Sequence, residues 1–254
     1  MLADHHESGG MRAVRTGHGR NSTAGKENRK EGIQMKPGYE QIRNDREINL
    51  LIEQGNRNLK VLGYTEHSRK HAVKVAETAG RILKELGYRK RQVEMAKIAG
   101  YMHDIGNTVN RYDHAHSSAV LAYGILKERE MKLEDILTIT SAIGQHDEET
   151  GTAVDAVSAA LILADKTDVR RNRVQNPVPA NFDIHDRVNY AALSSNLEID
   201  PEKKVIHMRL ELDDSICSVM DYFEIFLKRM LMCRRAAEML GCRFKLTANG
   251  SKIC

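Results

Sequence analysis

The sequence predicts a mainly α-helical protein that carries a small α+β unit near its C-terminus. Aromatic residues make up 5% of its 254 residues, and there are four prolines and no tryptophan. A β-sandwich or barrel normally uses more aromatic and β-branched residues and more turns. Apolar residues instead recur at helical spacing through residues 37–175 and alternate with period two after residue 190. With 41% hydrophobic residues, the chain can bury a substantial core.

The positive net charge is concentrated at the N-terminus. Residues 1–36 contain seven Lys and Arg against four Asp and Glu, whereas the whole chain carries a net charge of +4. The rest of the sequence is therefore close to neutral, which gives no indication of a nucleic-acid-binding surface. This segment is rich in Gly, Ser, Asn and His and has no apolar period, so we expect a disordered tail. Met35 and Met11 are candidates for the natural start of the protein, with the residues before them as an extension.

Two further features of the composition limit the class of protein. No apolar run approaches the roughly 20 residues that a helix needs to cross a bilayer, so we expect a cytoplasmic protein without a membrane contact. The cysteines form no C-x-x-C pair, which favours reduced, small hydrophobic side chains over disulfides or a zinc site. All of them lie near the C-terminus, at Cys217, Cys233, Cys242 and Cys254.

The region before residue 175 is predicted to form successive amphipathic helices. Thr65 is the predicted N-cap of the third helix, which contains His67 and His71. The last helix is apolar on most sides and is therefore expected to be central. Several helices end at a glycine, as is common at C-termini. The predicted helices span about residues 38–55, 56–62, 65–86, 90–102, 114–129, 133–145 and 152–171.

The C-terminal part of the sequence has a different pattern. Residues 176–190 include the string Asn-Pro-Val-Pro-Ala-Asn and are predicted to be a linker or surface loop. Alternating apolar residues at 193–199 and 205–213 predict a β-hairpin. A long helix at about 216–240 follows, and a further strand at 242–248 leads into an Asn-Gly turn.

These patterns divide the chain into four parts. They are a disordered tail at 1–36, a helical metal-binding domain at 37–175, the linker at 176–190 and an accessory α+β domain at 191–254. The accessory domain is predicted to combine antiparallel hairpins with one long helix that covers an antiparallel sheet. We also expect it to be the interface of a homodimer.

An adjacent histidine and aspartate, His103 and Asp104, are the strongest candidates for metal ligands. Neighbouring side chains on a helix point about 100° apart, so this pair can reach one ion only where the helix ends. Gly106 provides such an end. Nitrogen and carboxylate donors together suit Zn, Fe(II), Mn or Ni better than Ca or Mg. The same dipeptide recurs at His185-Asp186, where no helical pattern precedes it, and we do not assign it a function.

Further candidate ligands lie on or beside the neighbouring helices. They are His67, His114, His146 and Asp165. Asp165 lies inside the apolar last predicted helix, where an unpaired carboxylate is costly to bury, and a metal would compensate for that cost.

Two other histidines are not included among these ligands. His71 follows His67 by four residues, but the Glu that follows the first histidine in a two-histidine zinc helix is absent, so we interpret His71 as a supporting or surface residue. His116 is rotated about 200° from His114 and cannot bind the same ion from a regular helix.

The order of these residues resembles the HD superfamily of metal-dependent phosphohydrolases over roughly residues 60–173. The strings HDIGN, HAHSSA and LILADKTD are similar to its HDIGK, H-x-x-x-G-A and terminal Ala-Asp patterns. The resemblance is strongest to the HD domain of ribonuclease Y, to HD-GYP phosphodiesterases and to iron-dependent diadenosine tetraphosphate hydrolases. It implies an HD-domain helical bundle with a first metal bound by His67, His103, Asp104 and Asp165. Members with two additional histidines, here His114 and His146, usually hold a second metal.

The resemblance also implies a reaction and a cofactor. We expect hydrolysis of a nucleotide, or of a related phosphoester or phosphoanhydride, by a metal-activated water. The favoured cofactor is one or two divalent ions of Fe or Mn, with Zn, Co and Ni as alternatives. Asp104 is expected to hold both ions and Lys166 to act beside them. Lys166, Arg170, Arg171 and Arg173 are candidates for phosphate binding, or they stabilise a helix C-terminus.

Two departures from the superfamily pattern leave the substrate open. Asn107 stands where many members carry a lysine, and Asp147 replaces the second histidine of a pair found in several phosphodiesterases. An RNA or cyclic-dinucleotide phosphodiesterase is therefore an alternative. A regulatory protein that binds a metal or nucleotide without turnover is another alternative. The expected partner is a small phosphorylated substrate, with nucleic acid as the second class of partner.

Overall fold

The computed structural model of the protein describes residues 37–178 and 182–254. The predicted tail at 1–36 lies outside these residues. The helices are α1 Tyr39–Asn44, α2 Arg46–Val61, α3 Arg69–Glu85, α4 Lys90–Met102, α5 His114–Glu128, α6 Leu133–Gly144, α7 Ala156–Lys166, α8 Ile184–Ala191 and α9 Val219–Met239. The strands are β1 Ala192–Asp200, β2 Val205–Leu212, β3 Arg243–Ala248 and β4 Ser251–Lys252. The prediction of a mainly α fold with a small C-terminal α+β unit is confirmed.

The start of α3 corrects the sequence prediction. Ser68, not Thr65, is the N-cap, and its side chain accepts a hydrogen bond from the backbone N–H of Lys70. His67 therefore precedes the helix, and His71 lies in its first turn. The two histidines do not share a helix face.

The boundary between the first two helices also differs from the prediction. Asp45 caps α2 through its side chain, so the break comes before Arg46, and α2 continues through Gly55 to Val61. A Cβ on Gly55 would lie 3.1 Å from the Cβ of Asn107. The glycine thus allows α2 to approach the 3₁₀ turn at Ile105–Thr108 instead of ending the helix.

The helix α7 is shorter than predicted and lies in the centre of the core. Asp155 and Ser158 form a capping box at its start, and Thr167 is its C-cap, so the helix does not extend over 152–171. Residues 159–164 are at most 2% exposed. The helix packs against α3, α4, α6 and α9. Its C-terminal end, which carries Asp165, therefore lies in the middle of the helical assembly.

The C-terminal sheet has the order β1-β2-β3-β4 and contains one parallel pair. Strands β1 and β2 are antiparallel, as are β3 and β4, but β2 and β3 run parallel. The prediction of an antiparallel sheet is wrong at this pair, because α9 forms a crossover between β2 and β3.

The predicted linker at 176–190 includes a helix. Asp183 caps α8 by accepting a hydrogen bond from the N–H of Asp186. The segments predicted as separate domains share one hydrophobic core, in which Phe226 and Cys233 of α9 are buried together with Leu161 of α7.

Two predictions from composition can be compared with the described residues. No helix among residues 37–178 and 182–254 is both long and apolar enough to span a membrane. The four cysteines are free, and all except Cys254 are buried, which agrees with their interpretation as small hydrophobic side chains.

Candidate metal centre

The His103-Asp104 pair lies at the junction of α4 with the 3₁₀ turn that follows it. His103 is the C-cap of α4, and Gly106 lies inside the turn. A Cβ on Gly106 would collide with the backbone of His114 and Ser118. Without that atom α5 approaches closely, and the N–H of Gly106 donates to Ser118 Oγ at 2.8 Å. The glycine therefore brings the start of α5 to the end of α4.

A first group of ligand atoms surrounds one oxygen of Asp104. His103 Nε2 lies 3.0 Å from Asp104 Oδ2, and His71 Nε2 lies 3.6 Å from the same oxygen. Asp165 Oδ1 is 3.3 Å from His71 Nε2 and 3.6 Å from His103 Nε2. His71, His103 and Asp165 thus offer atoms close enough to hold one ion.

A second group faces the other oxygen of Asp104. His114 Nε2 lies 3.4 Å from Asp104 Oδ1, and His146 Nε2 lies 3.9 Å from it. Asn107 Nδ2 donates to the same oxygen at 3.0 Å and fixes the carboxylate. Asp104 consequently lies between the two groups and can bridge two ions.

Hydrogen bonds at Nδ1 orient the rings of His71, His103 and His146 so that each Nε2 faces the candidate centre. The Nδ1 atoms of His103 and His146 donate to backbone carbonyls, those of Gly100 at 2.8 Å and Ile143 at 2.6 Å. His71 Nδ1 is 2.8 Å from Asp168 Oδ2. Since these oxygens only accept, each Nε2 of a neutral ring has a free lone pair. A hydrogen bond at the ring nitrogen that does not bind the ion is typical of metal-binding histidines.

The donor set fits a divalent transition metal. The Nε2 atoms of His71 and His103 are 3.3 Å apart, and those of His114 and His146 are 3.1 Å apart. The ring of His146 is neutral and its Nδ1 donates to Ile143, so its Nε2 lone pair faces this space, which suits a cation. Asp104 Oδ2 is buried and receives no hydrogen bond from the described residues. Imidazole nitrogens with carboxylates suit Fe, Mn, Zn, Co and Ni.

The pKa values of the histidines differ according to their neighbours. Burial lowers the pKa of His114 to about 4 and that of His146 to about 3, so both rings are neutral at pH 7. Burial acts in the same direction on His103, but the carboxylates of Asp104 and Asp165 outweigh it and raise its pKa to about 10. Burial opposes ionisation of these two carboxyl groups, whereas nearby cationic groups hold their pKa values well below the usual range.

The position of His71 corrects its interpretation as a supporting or surface residue. It is fully buried and belongs to the first ligand group. His67 is nearby but outside both tight groups, with Nε2 4.0 Å from Asp104 Oδ2 and Nδ1 2.7 Å from the carbonyl of Thr65. His67 lines the pocket and stays a predicted ligand, while the interpretation of His71 followed from placing the helix start too early. His116 is exposed and pairs with Asp113.

Asp168, three residues after Asp165, supports the first group from behind. Its side chain is fully buried and accepts from His71 and from Arg170 Nε at 2.7 Å. Burial alone would raise the pKa of Asp168, but the hydrogen bond from His71 and the charge of Arg173 lower it. The sequence indicated Asp168 only through its position as the second aspartate of the string LADKTD.

A pocket of about 170 Å³ opens onto the centre. Lys166 lines it, with Nζ 2.7 Å from Glu148 Oε2 and 2.8 Å from Asp165 Oδ2. Arg173 also lines the pocket, but its guanidinium donates to the carbonyls of Glu66 and Asp168. The predicted phosphate ligands Lys166 and Arg173 are therefore beside the pocket.

Two of the predicted phosphate ligands are directed elsewhere. Arg170 bonds to Asp168 and Asn172, and Arg171 stacks on Tyr190 and donates to its carbonyl. Neither lines the pocket. The chain turns into a 3₁₀ segment at Arg171–Arg173 after α7, so these side chains do not continue its face.

Sequence reasoning missed several residues of this pocket. They are Tyr64, Thr65, Arg111, Glu148, Asp183, His185, Asn189 and Arg229. Glu148 follows His146 by two positions, so the sequence already indicated that it lies close to a candidate ligand. Arg229 lies on α9, far along the chain, and only the tertiary fold brings it to the pocket.

Helices α3 to α7 surround a buried cluster of His and Asp side chains that could hold metal ions. The family model described as HD domain matches residues 69–224, and the chain belongs to this family. Its members are generally metal-dependent phosphohydrolases. His71 lies within the matched residues and His67 outside them.

Comparison with known proteins gives distant relatives. An uncharacterised protein of Methanocaldococcus jannaschii is 28% identical over 171 residues, which cover 58% of this chain and 65% of that protein. Ribonuclease Y of Thermosipho melanesiensis is 25% identical over 162 residues, covering 63% of this chain and 31% of the enzyme. The chain thus spans less than two thirds of the length of each.

The chain is also similar to solved structures. The crystal structure of a predicted HD superfamily hydrolase from an uncultured Thermotogales bacterium aligns with 25% sequence identity and a TM-score of 0.39. The alignment covers 49% of this chain and 68% of that one.

Proposed function

We propose that this protein hydrolyses a nucleotide or a related phosphoester or phosphoanhydride in a metal-dependent reaction. The observation that carries the proposal is the arrangement of two buried groups of ligand atoms on either side of Asp104. Asp104, His114, His146 and Asp165 line a pocket that also contains Lys166. A divalent ion at such a centre supplies a Lewis acid and lowers the pKa of water toward neutrality.

Each group of side chains has a distinct part in this proposal. His71, His103, Asp104 and Asp165 would hold one ion, and Asp104, His114 and His146 a second. The nitrogen-rich donor set favours Fe or Mn, with Zn, Co and Ni as alternatives. Asp168 orients the ring of His71, and Asn107 orients the carboxylate of Asp104.

Lys166 provides the cation that a phosphate group would meet beside the ligands. Its ammonium is held between Glu148 and Asp165, and their carboxylates outweigh burial and raise its pKa. It therefore remains charged at neutral pH. A fixed cation in a partly enclosed pocket stabilises negative charge that develops on phosphate oxygens.

The test is a screen of the purified protein after anaerobic reconstitution with Fe(II), Mn, Co, Ni or Zn. Nucleoside monophosphates, triphosphates, dinucleoside polyphosphates, cyclic dinucleotides and a short RNA would be the substrates, with release of product as the readout. We expect turnover that Asp104→Asn abolishes in a folded protein. Failure to bind any of these ions, or identical product release by the Asp104 variant, would refute the proposal.

An RNA phosphodiesterase is the second candidate function. The observation favouring it is the similarity to ribonuclease Y, which extends to a Petrotoga mobilis sequence that is 29% identical over 113 residues. Affinity for a polyanionic strand should fall steeply with salt, whereas a small substrate should show a weak dependence. A homodimer formed through residues 191–254 and a cytoplasmic location stay predictions beside both candidates.

A further inference from the structure

Arg229 brings the C-terminal helix α9 into contact with the pocket. Its Nε donates to Glu148 Oε1 at 2.8 Å, and its guanidinium lies 4.3 Å from the ring centroid of Phe226. The side chain is 23% exposed and lines the pocket that contains Lys166 and the metal ligands. The carboxylate and the ring therefore fix the position of the guanidinium.

The terminal nitrogens of Arg229 have no acceptor among residues 37–178 and 182–254. Glu148 accepts a hydrogen bond from Nε alone, so both Nη atoms of Arg229 can donate to a ligand. The pocket cation Lys166 is already paired with two carboxylates, and Arg173 directs its donors at backbone carbonyls. Arg229 thus combines a fixed guanidinium with free donors beside the pocket.

The charges around Glu148 favour an anionic ligand. Its single carboxylate lies between Lys166 and Arg229, at 2.7 and 2.8 Å. Burial would raise the pKa of Glu148, but these two cations lower it, so it is ionised. Asp165 also contacts Lys166, yet it belongs to the first ligand group and would be directed to an ion. One positive charge in this cluster is then left without a counterion.

We propose that Arg229 binds the substrate's phosphate group through both Nη atoms, and that this group is a terminal phosphate. This inference rests on the proposed function. In this proposal the guanidinium engages two phosphate oxygens through its Nη atoms, and the metal centre takes a third oxygen that Arg229 does not contact. A phosphodiester has only two non-bridging oxygens, whereas a terminal phosphate has three. The substrate is therefore a phosphomonoester or the terminal phosphate of an anhydride, not an internal RNA linkage or a cyclic dinucleotide.

The experiment compares Arg229→Gln with Lys228→Gln. Lys228 is the adjacent residue on α9 and pairs with Glu149, the neighbour of Glu148, but both partners are exposed. Calorimetry would measure the affinity of each protein for inorganic phosphate and for dimethyl phosphate, with Mn²⁺ bound and without added metal. Metal content and circular dichroism would be measured on the same samples.

We expect Arg229→Gln to weaken inorganic phosphate binding by about tenfold or more, as loss of charge-assisted hydrogen bonds implies. Lys228→Gln should leave it unchanged within about twofold. With Mn²⁺ bound, dimethyl phosphate should bind the wild type more weakly than phosphate does and lose little in the Arg229 variant, because the metal takes one of its two non-bridging oxygens. If Arg229→Gln does not fold, Arg229→Lys keeps a cation but lacks the planar fork and should weaken phosphate binding in the same direction.

Two affinity results would overturn the inference. One is equal phosphate affinity in wild type and Arg229 variant; the other is an equal loss for phosphate and dimethyl phosphate when Mn²⁺ is bound. The proposed function fails separately. A selective loss of phosphate affinity in a protein that turns over no substrate supports the role of Arg229 and refutes the hydrolase assignment. The titrations without added metal test the contact between Arg229 and phosphate alone. A protein that takes up no Mn²⁺ would overturn the selection of a terminal phosphate, because no metal then occupies the third oxygen.

Discussion

At the scale of single residues, the two histidines near the start of α3 should differ in their effect on metal binding. His71 has Nε2 in the first ligand group and Nδ1 on Asp168, whereas His67 has Nε2 4.0 Å from Asp104. We expect His71→Ala to lose one ion per chain and His67→Ala to retain it, since a lost ligand cannot be replaced from the Asp168 side. Elemental analysis after reconstitution measures this.

The exposed His116 provides the matched control for these variants. His116→Ala should keep the wild-type metal content and circular dichroism spectrum. A His67 variant that loses the ion while the His71 variant keeps it would show that the assignment of the first ligand is wrong.

Metal binding should release a proton from His103. Its pKa of about 10 means that the free protein carries this proton at pH 7, and an ion needs the unprotonated Nε2. Because the proton competes with the ion, metal affinity should rise with pH between about 6 and 9. Titration calorimetry in buffers with different ionisation enthalpies should detect about one proton released per first ion. A pH-independent affinity would contradict this.

The sequence could place candidate ligands that lie at helix ends, but not the side chains whose positions depend on local capping or distant packing. His103, Asp104, His114, His146 and Asp165 could be placed because each follows or begins a clear apolar pattern. The start of α3 was placed at Thr65 and not at Ser68, since both residue types cap helices, and this hid the buried position of His71. Arg229 gave no signal, because only the packing of α9 on α7 brings it to the pocket.

At the scale of elements, the close approach of α3 and α4 depends on Gly100. A Cβ there would lie 2.8 Å from the Cα of Ala76, which is backbone and cannot move aside easily. The carbonyl of Gly100 also accepts from His103 Nδ1. Gly100→Ala should therefore lower the free energy of unfolding by about 1–3 kcal/mol through overpacking and should weaken metal binding. Chemical denaturation and metal titration measure the two effects.

Gly124 is the matched control in α5, because a Cβ there would meet nothing within 4 Å. Gly124→Ala should stabilise the protein by about 0.5–1 kcal/mol, since alanine favours the helix over the unfolded chain. If both substitutions stabilise the protein, the packing of α3 on α4 is looser than the structure indicates.

The elements that the sequence predicted best are those with strong end signals. The predicted span of α4 agrees with the structure, and those of α5 and α6 agree to within one residue at each end. The parallel pairing of β2 with β3 could not be predicted, because period-two alternation does not specify strand direction. The helix α8 was missed because its apolar face is short and follows a Pro-containing segment.

At the scale of the whole molecule, residues 37–175 and 191–254 share one hydrophobic core. We therefore expect metal binding to stabilise both parts as one unit. Phe226 and Cys233 of α9 share the core with α7, whose end carries Asp165. Calorimetry should thus show one unfolding transition. An ion at 100 times its dissociation constant should add about 2.7 kcal/mol, which raises the melting temperature by roughly 5–10 °C. Asp104→Asn should remove that shift. Two transitions, of which only one moves with Mn²⁺, would instead show that residues 191–254 unfold as an independent accessory domain.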